Sequence, residues 1–165
     1  MKCYSIFLLP SLLLTSSPAR AAEVSFKRDV MPVIMKAGCN TGDCHGSSRG
    51  QDGFMLSLFG YDPEGDYYRL LEEIPNRRIN LAEPVNSLLL QKATGNVSHT
   101  GGQLFTEDSE SYKIILDWLR QGASHDADET ALATGIRFEH DTYKFAKPGG
   151  TLPSNVFASY SNGSE

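Results

Sequence analysis

Cysteine is almost missing from this chain. Of 165 residues only three are cysteines, and one of them, Cys3, stands at the very start. The remaining pair, Cys39 and Cys44, allows one disulfide at most, the default fate of two thiols in an oxidising compartment. Positive charge is also scarce, with 15 Lys and Arg against 20 Asp and Glu, a net charge of −5. That balance argues against nucleic acid as a partner, because phosphate binding needs a basic surface. Long apolar runs are missing too. The best, Ile6 to Leu14, is too short to span a bilayer comfortably and is broken by Pro10. No internal repeat and no low-complexity segment is visible.

What is present at the N-terminus reads as an export signal covering residues 1–21. Lys2 supplies the positive start, Ile6 to Leu14 the apolar stretch, and Ala19 and Ala21 a small-x-small cleavage site. Cys3 precedes the apolar stretch, so it is not placed for lipid attachment and leaves with the signal. Cleavage removes Lys2 and Arg20 and no acid, leaving 13 basic against 20 acidic residues, a net charge of −7. The expected destination is the periplasm or the extracellular space, with no membrane span after signal removal.

Beyond the signal the chain divides into three zones. Residues 23–123 are rich in apolar positions. Residues 124–134 are polar and acidic and suit a linker. Residues 135–165 look like strands, with Ile136 and Phe138 alternating with polar neighbours and a β-prone run from Asn155 to Tyr160. The first zone carries helical spacings. Phe26, Val30, Val33 and Ile34 share a stripe, with Pro32 near the start and Gly38 as a stop. Asp66 to Glu73 reads as a second helix and Asn86 to Ala93 as a third, capped by Asn86 or Ser87. Ser109 to Gln121 is the clearest, with Tyr112, Ile115, Leu116 and Leu119 on one face and Gly122 as terminator. The expected class is mostly α, followed by a short incomplete β segment. Helices so short supply little core for a hundred residues. A large apolar cofactor at the centre would make up the deficit.

The two cysteines stand in Cys39-Asn40-Thr41-Gly42-Asp43-Cys44-His45-Gly46. A histidine directly after the second of two neighbouring cysteines is the pattern of covalent haem attachment: the thiols bind the vinyl groups and the histidine ligates iron. The common spacer is two residues; here it is four. Gly42 suits the turn of the longer loop, and Gly46 suits a close approach to the ring. A disulfide between Cys39 and Cys44 competes with this reading but leaves His45 and Gly46 without a role. A closed zinc site needs four ligands and would have to recruit His99.

A second axial ligand has two candidates. His99 lies in a glycine-flanked loop with Gly101 and Gly102, where backbone can approach a flat ring. Met55 sits in the apolar Phe54–Phe59 run, suits core filling, and is close in sequence to His45. An open or water-filled position is the third option. Arg77 and Arg78, with Lys92 nearby in sequence, are candidate partners for haem propionates or a solvated charge pair. His125 and His140 read as solvated, and Tyr67 and Tyr68 as packing residues.

The chain resembles the cytochrome c-like domain of large secreted planctomycete proteins. The resemblance runs over residues 24–123. It is carried by Val24 to Val33, by Gly38 to Gly46 with its four-residue spacer, and by Leu56 to Asp62. Further matches are Arg77 to Ile79, Ser87 to Ala93, His99 with Gly101 and Gly102, and Trp118 to Ala123. Ser98 stands where that group's pattern has proline. The resemblance implies a helical domain around one covalent haem c, attached at Cys39 and Cys44 and ligated by His45 and His99. Ile136 to Phe138, Lys147 to Gly149 and Val156 to Ser164 are similar to the opening strands of a bacterial immunoglobulin-like domain. Such modules follow the cytochrome domain in those proteins, which implies that the chain belongs to a longer multidomain protein. The strands that complete the module are not in the chain, so residues 135–165 are expected to pack loosely, with unpaired edges.

These readings converge on an exported electron carrier rather than a catalyst, working with a redox partner protein whose identity the residues do not give. Two alternatives stay open. One is a haem-containing surface scaffold or binding module. The other is a haem sensor or enzyme with an open distal site.

Overall fold

The computed structural model describes residues 23–126 and 130–165. The export signal expected over residues 1–21, Cys3 included, lies outside the described residues, as do residues 127–129 of the expected linker. A π-helical turn, Phe26–Val30, runs directly into helix α1, Met31–Lys36. Helix α2 spans Pro63–Leu71, α3 Leu88–Ala93 and α4 Glu110–Arg120. Two strands follow, β1 at Ala133–Phe138 and β2 at Val156–Tyr160, paired antiparallel with Ile136 opposite Ala158 and Phe138 opposite Val156.

Helix α4 organises the core. Its apolar stripe, Tyr112, Ile115, Leu116, Trp118 and Leu119, is buried throughout. Ser109 caps it by accepting a hydrogen bond from the Tyr112 N–H at 3.2 Å. The opening turn, α1 and α3 pack against it. Phe26 fits between Trp118 and Tyr67, with ring centroids 5.3 Å from each. Leu70 of α2 and Leu90 of α3 complete a single core cluster.

Helices α1 and α4 end in the same way, and the ending of α1 positions the cysteine loop. Gly38 has φ of +74°. Its N–H bonds to the Met35 carbonyl at 3.0 Å, and the Cys39 N–H reaches back to Ile34 at 3.1 Å. This is a Schellman ending with glycine in its left-handed position. At α4, Gly122 and Ala123 make the equivalent bonds to Leu119 and Trp118.

The expected mostly α class does not hold. Helix makes up 31% of the structure, beside a two-stranded antiparallel sheet. The apolar periodicities are real, but the helices are short. Those of α1 and α3 run for six residues each. Left-handed glycines such as Gly38, Gly50, Gly53, Gly60 and Gly95 break the intervening chain into turns. Loop backbone then finds its partners in other loops: Leu56 N–H on His45, Phe59 N–H on Asn40, Leu104 N–H on Ala93.

The segment after α4 is tied down where it leaves the helix. Trp118 Nε1 donates to the Ser124 carbonyl at 3.1 Å, and Tyr67 OH to the Ala123 carbonyl at 2.8 Å. The Asp126 carboxylate accepts the N–H groups of Phe26 and Lys27 at 3.0 and 2.7 Å. His125, expected to be solvated, pairs with Glu64 and lies edge-on to Tyr67. Every residue of β1 is exposed. Among the described residues no helix is long and apolar enough to cross a membrane.

Candidate functional site

Cys39 follows the α1 terminator directly, and the loop after it closes on itself. Thr41 N–H returns to Gly38 at 3.2 Å, Cys44 N–H to Thr41 at 3.0 Å, and His45 N–H to Cys39 at 2.9 Å. Gly46 N–H also bonds to Thr41, at 2.9 Å. A Cβ on Gly46 would lie 2.1 Å from the Asn40 carbonyl oxygen. Glycine is required there by the loop's own closure. Gly42, by contrast, has no neighbour within 4 Å and no left-handed φ. The turn expected of Gly42 is made instead by Gly38 and by the closed hydrogen bonds.

Both cysteines are free thiols and partly exposed. Burial, reinforced by the nearby Cys44, pushes the Cys39 thiol up to about 11. It is therefore protonated at neutral pH, unlike the activated thiolate of a redox or metal-binding cysteine. Within the loop, Asn40 is fully buried, and neither side-chain amide atom has a hydrogen-bond partner among the described residues.

His45 is held from three sides. Its N–H bonds to Cys39, its carbonyl accepts Leu56 N–H at 2.7 Å, and its Nδ1 meets the Phe54 carbonyl at 2.8 Å. A carbonyl can only accept, so Nδ1 carries the proton and Nε2 keeps its lone pair. Burial lowers the pKa of His45, which favours the neutral, ligating form. His99 is arranged alike, with Nδ1 3.3 Å from the Gly102 carbonyl. Gly101 passes so close that a Cβ there would sit 3.0 Å from the His99 ring.

The two imidazoles are nearly parallel. Their planes are 5° apart and their centroids 6.3 Å apart. A metal–nitrogen bond of about 2.0 Å on each side, plus about 1.2 Å from each nitrogen to its ring centre, gives about 6.4 Å for two imidazoles on one axis. The observed centroid separation has that length. An open cavity of about 370 Å³ lies beside His99, lined by residues of the 94–103 loop. A larger hollow, about 460 Å³, sits in the Phe145–Gly150 turn and involves neither histidine.

The other expected site residues fall as follows. Met55 is partly buried beside Phe54, and the imidazole parallel to that of His45 belongs to His99. Arg77 is exposed. Arg78 is buried, donating to the Arg69 carbonyl at 2.7 Å and paired with Glu73 at 2.9 Å. Its guanidinium is already engaged within the protein. Lys92 Nζ donates to the Ser98 carbonyl at 3.3 Å, next to His99. Sequence reasoning did not single out Phe54 as a site residue, because its part is played by a main-chain oxygen. Only the hydrogen-bonding need of a ligating histidine could have pointed to it.

Among the described residues no three His, Cys, Asp or Glu side chains converge as a metal-binding group. A closed zinc site, which needs four, has no such set. The donor types present fit a haem: two near-parallel imidazoles, and two thiols in the loop that carries one of them. No protein-family model, no curated protein and no solved structure matches the chain.

Proposed function

We propose that the protein is an exported c-type cytochrome that carries electrons on one covalent haem. His45 and His99 are the axial ligands, and Cys39 and Cys44 the points of attachment. The observation that carries this reading is the 6.3 Å, 5° relation of the two imidazoles, each with Nδ1 on a backbone carbonyl. The likeness of the Cys39–Gly46 stretch to planctomycete cytochrome domains supports it, and so does the export signal read at residues 1–21.

Each residue has a defined task. The closed loop fixes Cys39 and Cys44 relative to His45. The Phe54 and Gly102 carbonyls hold the two histidines in the tautomer that leaves Nε2 free. Two filled axial positions exclude a substrate, which favours electron transfer over catalysis. When bound, haem supplies one-electron chemistry through its iron. The acidic surface suits a redox partner with a basic contact face.

The deciding experiment is co-expression with a haem-attachment pathway, followed by acid–organic extraction. Haem is expected to stay with the polypeptide, and the ferric spectrum to be low spin. Haem that extracts freely rules out the covalent assignment. Ready carbon monoxide binding by the reduced protein rules out two tight histidines in favour of an open distal site.

A further inference from the structure

We infer that Gly50, Phe54 and Arg78 form a support that sets the tautomer and donor strength of His45, and so tunes the potential of the site. The inference rests on the haem reading above. It starts from one atom, the Phe54 carbonyl oxygen, which receives both the His45 Nδ1–H at 2.8 Å and the Gln51 N–H at 3.1 Å. A carbonyl oxygen has two lone pairs, and both are used. The second bond closes a tight turn in which Phe54 N–H returns to the Gln51 carbonyl at 2.9 Å. That turn aims the oxygen at the histidine.

Two independent features lock the turn. Gly50 has φ of +64°, and a Cβ there would fall 1.9 Å from that same oxygen. No other residue fits without displacing the acceptor. On the side-chain face, the Arg78 guanidinium lies 4.3 Å over the centre of the Phe54 ring. Arg78 is itself anchored by Arg69 and Glu73, so it presses on the ring from a fixed position. The Phe54 ring in turn lies 4.7 Å from the His45 ring at 51°. One residue thus contacts the histidine through its oxygen and through its side chain.

Donation of Nδ1–H to a carbonyl makes the imidazole a stronger donor, and a stronger donor favours the ferric state. Arg78 is therefore a positioning residue acting through Phe54. This role and a simple charge effect differ in sign. Removing a nearby cation favours ferric iron and lowers the potential. Loosening the support of His45 weakens the ligand and raises it.

The test compares Arg78→Met, Phe54→Leu and Gly50→Ala with the parent holoprotein by redox titration and by ferric electron paramagnetic resonance. The expected result is a positive shift of the midpoint in all three, with altered low-spin g-values, while Phe54→Tyr stays close to the parent. A negative shift in Arg78→Met, with parental g-values, overturns the proposal in favour of charge alone. Unchanged potentials in variants that retain haem overturn it as well. If Gly50→Ala does not fold, the Arg78→Met and Phe54→Leu pair decides. A parent protein without covalent, low-spin haem defeats the underlying reading instead, and does so before any variant is compared.

Discussion

His45 and His99 come from loops more than fifty residues apart in sequence, yet their imidazole planes lie within 5° of each other. Each ring reached that relation by the same local device, a backbone carbonyl placed against Nδ1. One loop follows the α1 terminator and the other follows α3. The core around α4 brings both helices together. The pairing is thus a property of the fold as a whole.

The two histidines should respond differently to removal. His99→Ala is expected to keep covalent haem, because the thiols and His45 are untouched. Its ferric spectrum should change from low to high spin, and its reduced form should bind carbon monoxide. Retention of a low-spin spectrum in His99→Ala would falsify its role as ligand and return attention to Met55. His45→Ala should lower haem incorporation outright, since it removes the imidazole beside the two thiols while the loop, closed by main-chain bonds, stays in place.

The cysteines are separable by spectroscopy. Cys39→Ala and Cys44→Ala should each leave one thioether bond, moving the band of the reduced pyridine complex to longer wavelength than in the parent. The double variant should release its haem on acid–organic extraction. A parental spectrum in either single variant means that this thiol is not bonded to haem.

Three glycines near the site should rank by geometry. Gly42→Ala is expected to be neutral, with no left-handed φ and no neighbour within 4 Å. Gly38→Ala keeps its space but places a Cβ on a left-handed residue, at a cost of about 1 kcal/mol and a fall in Tm of roughly 4–8 °C. Gly46→Ala forces a Cβ to 2.1 Å from the Asn40 oxygen, so it should be the most damaging and depress haem incorporation. Thermal melts and haem content check the order. Equal effects at positions 42 and 46 contradict the loop geometry.

The same glycines mark how far the sequence could be read. Helix positions were legible, because the stripe on α4 and the glycine stops state them directly. The Cys39–His45 cluster and His99 stood out by residue type, and the fold brings the His45 and His99 imidazoles within 6.3 Å. The fold class was not legible, since periodicity reveals that a helix exists but not how much of the chain lies outside it. Nor was the crowding at Gly46, which depends on how the loop closes, or the burial of Arg78. A guanidinium near a candidate site reads as an anion partner until its contacts with Phe54, Arg69 and Glu73 are seen.

The segment after α4 should contribute a pH-dependent share of stability. The pKa of His125 is raised, first by its hydrogen bond to the Asp126 carbonyl and next by Glu64. Stability from such a group is fully present below its ordinary value of 6.5 and is lost as pH rises through the folded value. Glu64 is lowered, first by its bond to Lys27, so its share is present above 4.5 and is lost as pH falls through the folded value. The two shares overlap between those values. Both side chains are about half exposed, so their sum is small, about 0.5 kcal/mol, and should fall at high salt. The Tm difference between parent and His125→Gln should therefore peak near pH 5.5 and fade by pH 9. A difference that is constant with pH would mean that His125 stabilises the protein through its edge-on contact with Tyr67, at 4.6 Å, and not through its charge.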